Sequence, residues 1–184
     1  DKAHFVGLSM GARILMDFFP RFRDRVATLT LCDCFFSYAT ALSPEKQKEF
    51  VELRQKPLKE GKSPTDLAPM LIDSLVGPNC SETAKNKLYQ SLVEIHVDSY
   101  LKTIAATVTY DASGSLADFD VPVQLIFGEH DKLTPPTIGE TMMAKIPNAI
   151  MAVIDDAGHL SNMEQPEAFN KIMRAFLEEH LDLA

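Results

Sequence analysis

Three reactive side chains lie in three short glycine-containing segments of the sequence. Ser9 is in Gly7-Leu8-Ser9-Met10-Gly11, Asp131 in Phe127-Gly128-Glu129-His130-Asp131-Lys132, and His159 in Asp156-Ala157-Gly158-His159-Leu160. A serine hydroxyl is a poor nucleophile at neutral pH and needs a base. Histidine is the side chain whose ordinary pKa suits proton exchange near pH 7. A carboxylate on the far imidazole nitrogen fixes the tautomer and stabilises the imidazolium that forms. The backbone N–H of Met10 opens the helix expected after Ser9, where negative charge on a reacting carbonyl oxygen is favoured. Together these groups suit acyl transfer.

Each residue also has a plainer role open to it. Asp131 could cap the helix expected near Pro135, and His159 could be an ordinary loop histidine. Asp155 and Asp156 are weaker acid candidates, because both sit on the histidine's own strand end. Glu129 and His130 read as solvated loop neighbours, His4 as a satisfied core histidine, and His96 and His180 as surface residues. Leu8, Met10 and Met163 flank the reactive loops and either line an apolar pocket or pack in the core. Cys32, Cys34 and Cys80 are odd in number and are not spaced with histidine as zinc ligands are. They read as reduced thiols, and no metal or organic cofactor is implied.

The elements that must position the trio come from apolar periodicity. Ala3–Leu8, Val26–Cys32, Val123–Phe127 and Ile150–Ile154 read as buried parallel strands. Helical patterns follow over Met10–Phe19, Pro135–Ile146 and Pro166–His180. This alternation predicts an α/β fold with a parallel sheet and helices on its faces. Ligands of such sheets bind beyond the carboxyl ends of the strands, where Ser9, Asp131 and His159 all fall. Glycine on both sides of Ser9 permits the close backbone approach that a sharp strand-to-helix turn needs.

The stretch 43–112 carries almost no strand signal. Ser43-Pro44, Ser63-Pro64 and Ser81-Glu82 are helix starts, and Val97-Asp98-Ser99 precedes a fourth helix. Pro57, Gly61, Gly77 and Pro78 punctuate them. The expected organisation is a core of 1–42 and 113–184 interrupted by a helical lid at 43–112.

The composition narrows the partners. The 184 residues are 46% hydrophobic and carry a net charge of −8, which disfavours nucleic acid or an anionic membrane surface. No apolar run approaches the roughly 18 residues that span a bilayer. The first residues have no secretory pattern, so a cytoplasmic location is expected.

The segments Gly7–Gly11, Pro122–Asp131 and Gly158–Pro166 resemble the α/β-hydrolase family, whose chain order is also Ser, Asp, His. They are most similar to its enol-lactonase, esterase and cofactor-free haloperoxidase-like branch, whose cap the helical insertion matches. The resemblance implies a serine hydrolase for a small ester or lactone, with Ser9 as nucleophile, His159 as base, Asp131 as orienting acid and Met10 N–H as oxyanion donor. C–C bond hydrolysis and perhydrolysis use the same trio. It also implies that the sequence corresponds to the C-terminal two-thirds of such a fold. Further strands and a His-Gly-type loop giving the second oxyanion donor would belong to an N-terminal segment, a partner of the same fold. On that expectation Ala3–Leu8 is an apolar edge strand, prone to pair with another chain, and residues 1–184 alone are poorly soluble and nearly inactive. Ala12 stands where relatives often have a second glycine. A hydrolase-fold ligand-binding protein or receptor, and an inactive fragment, are the alternatives.

Overall fold

In the computed structural model, residues 1–38 and 42–184 are described. The four apolar runs form one sheet in the order β1 (Ala3–Leu8), β2 (Val26–Cys32), β3 (Val123–Gly128) and β4 (Ile150–Ile154). Every neighbouring pair is parallel. The strands match the sequence reading, with β3 one residue longer. The middle pair, β2 and β3, is buried throughout. β1 and β4 close the sheet on either side and are partly exposed, with Val6 at 45% and Val153 at 43%.

Side chains alternate between the two faces of a strand. Leu29 and Leu31 of β2 and Val123, Leu125 and Phe127 of β3 share one apolar layer. The helix α1 (Met10–Phe18) covers it through Ala12 and Met16, and a later helix, Pro136–Met143, covers it through Met142. Ala12 is wholly buried. On the opposite face, Cys32, Ile126 and Ile154 pack against Phe169, which belongs to the last long helix, Pro166–Glu179. The three cysteines are free and buried.

Between β2 and β3 the chain forms α2 (Pro44–Lys59), α3 (Pro64–Leu75), α4 (Glu82–Val93) and α5 (Val97–Thr107). Their amphipathic faces build a separate apolar cluster of Leu58, Leu67, Ala68, Leu71, Leu88 and Leu92. The serine starts act as expected. The hydroxyls of Ser43, Ser63 and Ser81 each accept a backbone N–H of the first turn, and Ser63 with Asp66 completes a reciprocal capping box. Each such cap is worth about 1 kcal/mol.

Two local expectations fail. The helix α5 begins at Val97 itself, and His96 Nδ1 caps it by accepting from Ser99 N at 3.4 Å. Pro57 lies inside α2 rather than ending it, because it falls in the last turn and only one interior hydrogen bond is lost. Where the insertion enters and leaves, Ala112 N donates to Phe36 O at 2.7 Å and Tyr38 N to Tyr110 O at 3.1 Å. After β3 come α6 (Pro136–Met143), the single turn α7 (Ser161–Glu164) and α8 (Pro166–Glu179). Among the described residues no helix is long and apolar enough to cross a membrane.

Candidate active site

Ser9 stands between β1 and α1 with φ 52° and ψ −110°. This backbone conformation is rare for any residue but glycine and recurs at functional sites. It is held by Ser9 N donating to Cys32 O at 2.8 Å and by Arg13 N donating to Ser9 O at 3.2 Å. A Cβ on Gly7 would meet the Gly11 carbonyl carbon at 2.6 Å and Ala12 N at 2.7 Å, so the turn requires glycine there. The same need was expected of Gly11. Nothing lies within 4 Å of a Cβ built on it, because the close approach is made by the backbone of α1 folding over Gly7.

The three distant side chains meet. His159 Nε2 lies 2.8 Å from Ser9 Oγ, and His159 Nδ1 lies 2.8 Å from Asp131 Oδ2. His159 and Asp131 are each 3% exposed. With Nδ1 donating to the carboxylate, Nε2 is left as the basic nitrogen facing the hydroxyl. The capping role weighed against Asp131 is not what it performs, since the helix Pro136–Met143 starts from Pro135 with no side-chain cap; Asp131 holds the turn before it instead. Its Oδ1 accepts from Leu133 N at 2.8 Å and Thr134 N at 2.9 Å, which locks the loop before α6. Thr134 Oγ1 donates to Asp131 Oδ2 and lies 3.2 Å from His159 Nδ1. The carboxylate therefore meets the imidazole from a fixed position. Met10 N–H is one of the first donors of α1, which have no acceptor within the helix.

Two further carboxylates organise the site, and the sequence reading assigned neither. Asp33, wholly buried, follows β2 with φ 44°. Its Oδ1 accepts from Gly128 N at 2.8 Å, and its Oδ2 accepts from Ser161 N at 3.3 Å and from Ser161 Oγ. It thus ties the loop leading to Asp131 to the turn after His159. Burial pushes its carboxyl up to about 7, against the lowering effects of the Ser161 hydrogen bond and the nearby His159. Its signal in the sequence was its place at a strand's carboxyl end, shared with the other site residues.

The second is Glu164. Its Oε2 accepts from Gly77 N at 2.7 Å, and its Oε1 from Gly158 N at 3.0 Å and Leu160 N at 3.3 Å. His159 N also donates to Leu75 O at 2.7 Å. A Cβ on Gly158 would lie 2.4 Å from Gly77 N. The histidine loop and the loop between α3 and α4 are thus packed backbone to backbone.

The remaining candidates fall as follows. Leu8 packs with the Cys32–Ile126 layer, while Met163 packs with the cluster of the helical insertion. Met10 is 46% exposed. His4 Nδ1 lies 2.9 Å from Thr28 Oγ1, but its buried Nε2 has no partner, so this histidine is half satisfied. His180 is not simply solvated: its Nδ1 lies 2.8 Å from Phe176 O. Asp155 and Asp156 are exposed. Glu129, His130 and Asp156 bring potential metal-ligand atoms within 4.8 Å of one another on an open surface. Their hydrogen bonds serve the loops: Glu129 Oε2 accepts from Asp156 N, and Asp156 Oδ1 accepts from Asn79 Nδ2.

Residues 1–166 match the model of the alpha/beta hydrolase fold family. A pimeloyl-[acyl-carrier protein] methyl ester esterase of Neisseria meningitidis is 27% identical over 98% of this chain and 58% of its own length. A 3-oxoadipate enol-lactonase of Acinetobacter baylyi is 35% identical over 53% of this chain and 36% of its own length. Among solved structures, a thermophilic esterase from Thermogutta terrifontis superposes with a TM-score of 0.82 at 29% identity, over 97% of this chain and 66% of its own. The chain therefore spans less than two thirds of the length of these relatives.

Proposed function

The chain belongs to the alpha/beta hydrolase fold family, and from that premise we propose that it is a serine hydrolase cleaving carboxylic ester or lactone bonds of small substrates. The observation that carries this is the continuous relay from Ser9 Oγ through the His159 imidazole to Asp131, with 2.8 Å at each step. Relatives named as esterases and an enol-lactonase support hydrolysis.

Ser9 Oγ attacks the carbonyl carbon while His159 Nε2 takes its proton. Asp131 faces the imidazolium and holds the ring in the productive tautomer. Charge then develops on the carbonyl oxygen, and the Met10 N–H at the head of α1 donates to it. His159 returns its proton to the leaving alkoxide, which leaves an acyl group on Ser9. A water activated by the same imidazole then releases the acid. No metal or organic cofactor takes part in this scheme. The insertion at 43–112 serves as a lid, because its own cluster rests on the histidine loop through Leu160 and Met163. Three free thiols and a net charge of −8 suit a reducing cytoplasm and a small-molecule partner rather than nucleic acid.

The test is Ser9→Ala in the full-length protein, assayed with a short p-nitrophenyl ester. Turnover falling to the level of uncatalysed hydrolysis is expected. Retained turnover refutes Ser9 as nucleophile, and saturable binding by a wild type that turns nothing over would identify a ligand-binding protein instead.

A further inference from the structure

Among the described residues, Arg13 is a cation without an anion. It lies on α1 four residues after Ser9, a rise of about 6 Å. Its Nε is buried and has no hydrogen-bond partner, and among the described residues Arg13 makes no ion pair. Its guanidinium lies instead over two rings, 4.9 Å from the centroid of Phe35 and 5.8 Å from that of Tyr110. Ring faces attract the charge, but the five N–H donors of a guanidinium lie in its own plane and are left free for an acceptor. Burial without an anion holds Arg13 below its ordinary pKa, with Tyr110, Cys34 and Tyr38 opposing the effect. A second orphan lies close by in the run of rings. Tyr38, stacked edge-on 5.1 Å from Phe35, is wholly buried, and among the described residues its hydroxyl has no partner.

A cleft of about 430 Å³ opens beside Arg13, between α1 and α5. Met10, Ile14, Ala106 and Tyr110 give it apolar walls, and Thr103 and Thr107 add hydroxyl-bearing side chains. Asp17, the one carboxylate in the lining, is 3.2 Å from Arg21 and is matched by it. The cleft begins at Met10, next in the chain to Ser9. Phe35, the ring that Arg13 covers, lies three residues beyond Cys32, whose carbonyl accepts the Ser9 N–H. Arg13 N also donates to Ser9 O at 3.2 Å, so charge and cleft both begin within the first turn after the nucleophile.

We propose that this cleft is a subsite for a carboxylate on the acyl part of the substrate, with Arg13 as its anchor. The inference rests on Ser9 being the nucleophile. It narrows the substrate class to hemiesters and lactones of dicarboxylic acids. A carboxylate is planar and carries one charge, so it matches the guanidinium fork with two parallel N–H···O bonds and leaves no net charge in the cleft. The acyl carbonyl oxygen is held at the N-terminus of α1, so the rest of the acyl chain reaches the flank of that same helix.

The experiment compares mono(4-nitrophenyl) glutarate with 4-nitrophenyl valerate in the full-length wild type and in Arg13→Gln and Arg13→Lys. The wild type prefers the glutarate by about 10–100-fold in kcat/KM, the range of a charge-assisted pair. In Arg13→Gln the preference falls towards one, through KM. In Arg13→Lys, which keeps the charge but not the fork, it falls part of the way. An unchanged preference in Arg13→Gln, or none in the wild type, overturns the subsite. A second readout separates it from the hydrolase reading: free glutarate raises the melting temperature of Ser9→Ala, and Arg13→Gln in that background abolishes the rise. If no ester is turned over but this rise is seen, the hydrolase reading fails and the carboxylate site stands. Absence of the rise overturns the site whatever the turnover.

Discussion

Replacing Asp33 by asparagine should change how stability depends on pH, because the buried carboxyl titrates about three pH units above its ordinary value. The folded protein holds this proton up to about pH 7, whereas the unfolded chain releases it near 3.8. Below 3.8 both states are protonated and the group contributes no pH dependence. Between the two values the folded state binds more protons, so stability falls as pH rises, by about 1.4 kcal/mol per pH unit. Above about 7 both states are ionised and the loss is complete. The gap from 3.8 to about 7 corresponds to about 4 kcal/mol in all. Between pH 5 and 7 the loss is about 2–2.5 kcal/mol, because the slope eases as the carboxyl nears half ionisation, or about 5–10 °C in Tm for a chain of this size.

Asparagine at position 33 keeps an acceptor for Gly128 N but turns donors towards Ser161. That adds a cost of about 1–3 kcal/mol which does not vary with pH. Urea unfolding of the full-length wild type and Asp33→Asn at pH 5, 6, 7 and 8 separates the two effects. The difference between the proteins should shrink or reverse as pH rises. Curves that stay parallel from pH 5 to 8 would refute a carboxyl titrating near 7 at this position.

Three other perturbations follow from the site. Asp131→Asn presents an amide to His159 Nδ1 and favours the wrong tautomer, so kcat should drop by about 10⁴, as in a protease with the same trio, while KM for the p-nitrophenyl ester changes little. Gly7→Ala places a methyl against the backbone of Gly11 and Ala12, so unfolding should become easier by about 1–3 kcal/mol and phosphonylation of Ser9 should slow. Glu164→Ala leaves the N–H groups of Gly77 and Gly158 without their acceptor, at about 1–3 kcal/mol each, and hydrogen exchange at both amides should accelerate while exchange in β2 and β3 does not.

How much of this was legible in the sequence depended on the range of the interaction. Apolar runs gave the strands within a residue, because burial on both faces makes most positions of β2 and β3 apolar, Thr28, Thr30 and Gln124 excepted. Serine before proline gave the starts of α2 and α3, because capping acts over three residues. The trio was legible through its strand-end position, although Ser9 and His159 are 150 residues apart. Asp33 and Glu164 were not, because their partners are backbone N–H groups on loops distant in sequence, and nothing in residue type announces such an acceptor. Thr134 and Arg13 were missed for a related reason. A hydroxyl beside an imidazole and a guanidinium over a ring become visible once the loops are folded together. His96 as a cap was hidden because the expected cappers are serine, threonine, aspartate and asparagine.

The most direct measurement is the site and rate of covalent labelling of the full-length protein by a fluorophosphonate. The adduct is expected on Ser9, with labelling lost in Ser9→Ala and slowed by orders of magnitude in His159→Ala. Labelling at another residue, or at an undiminished rate without the imidazole, would contradict a hydroxyl activated by His159.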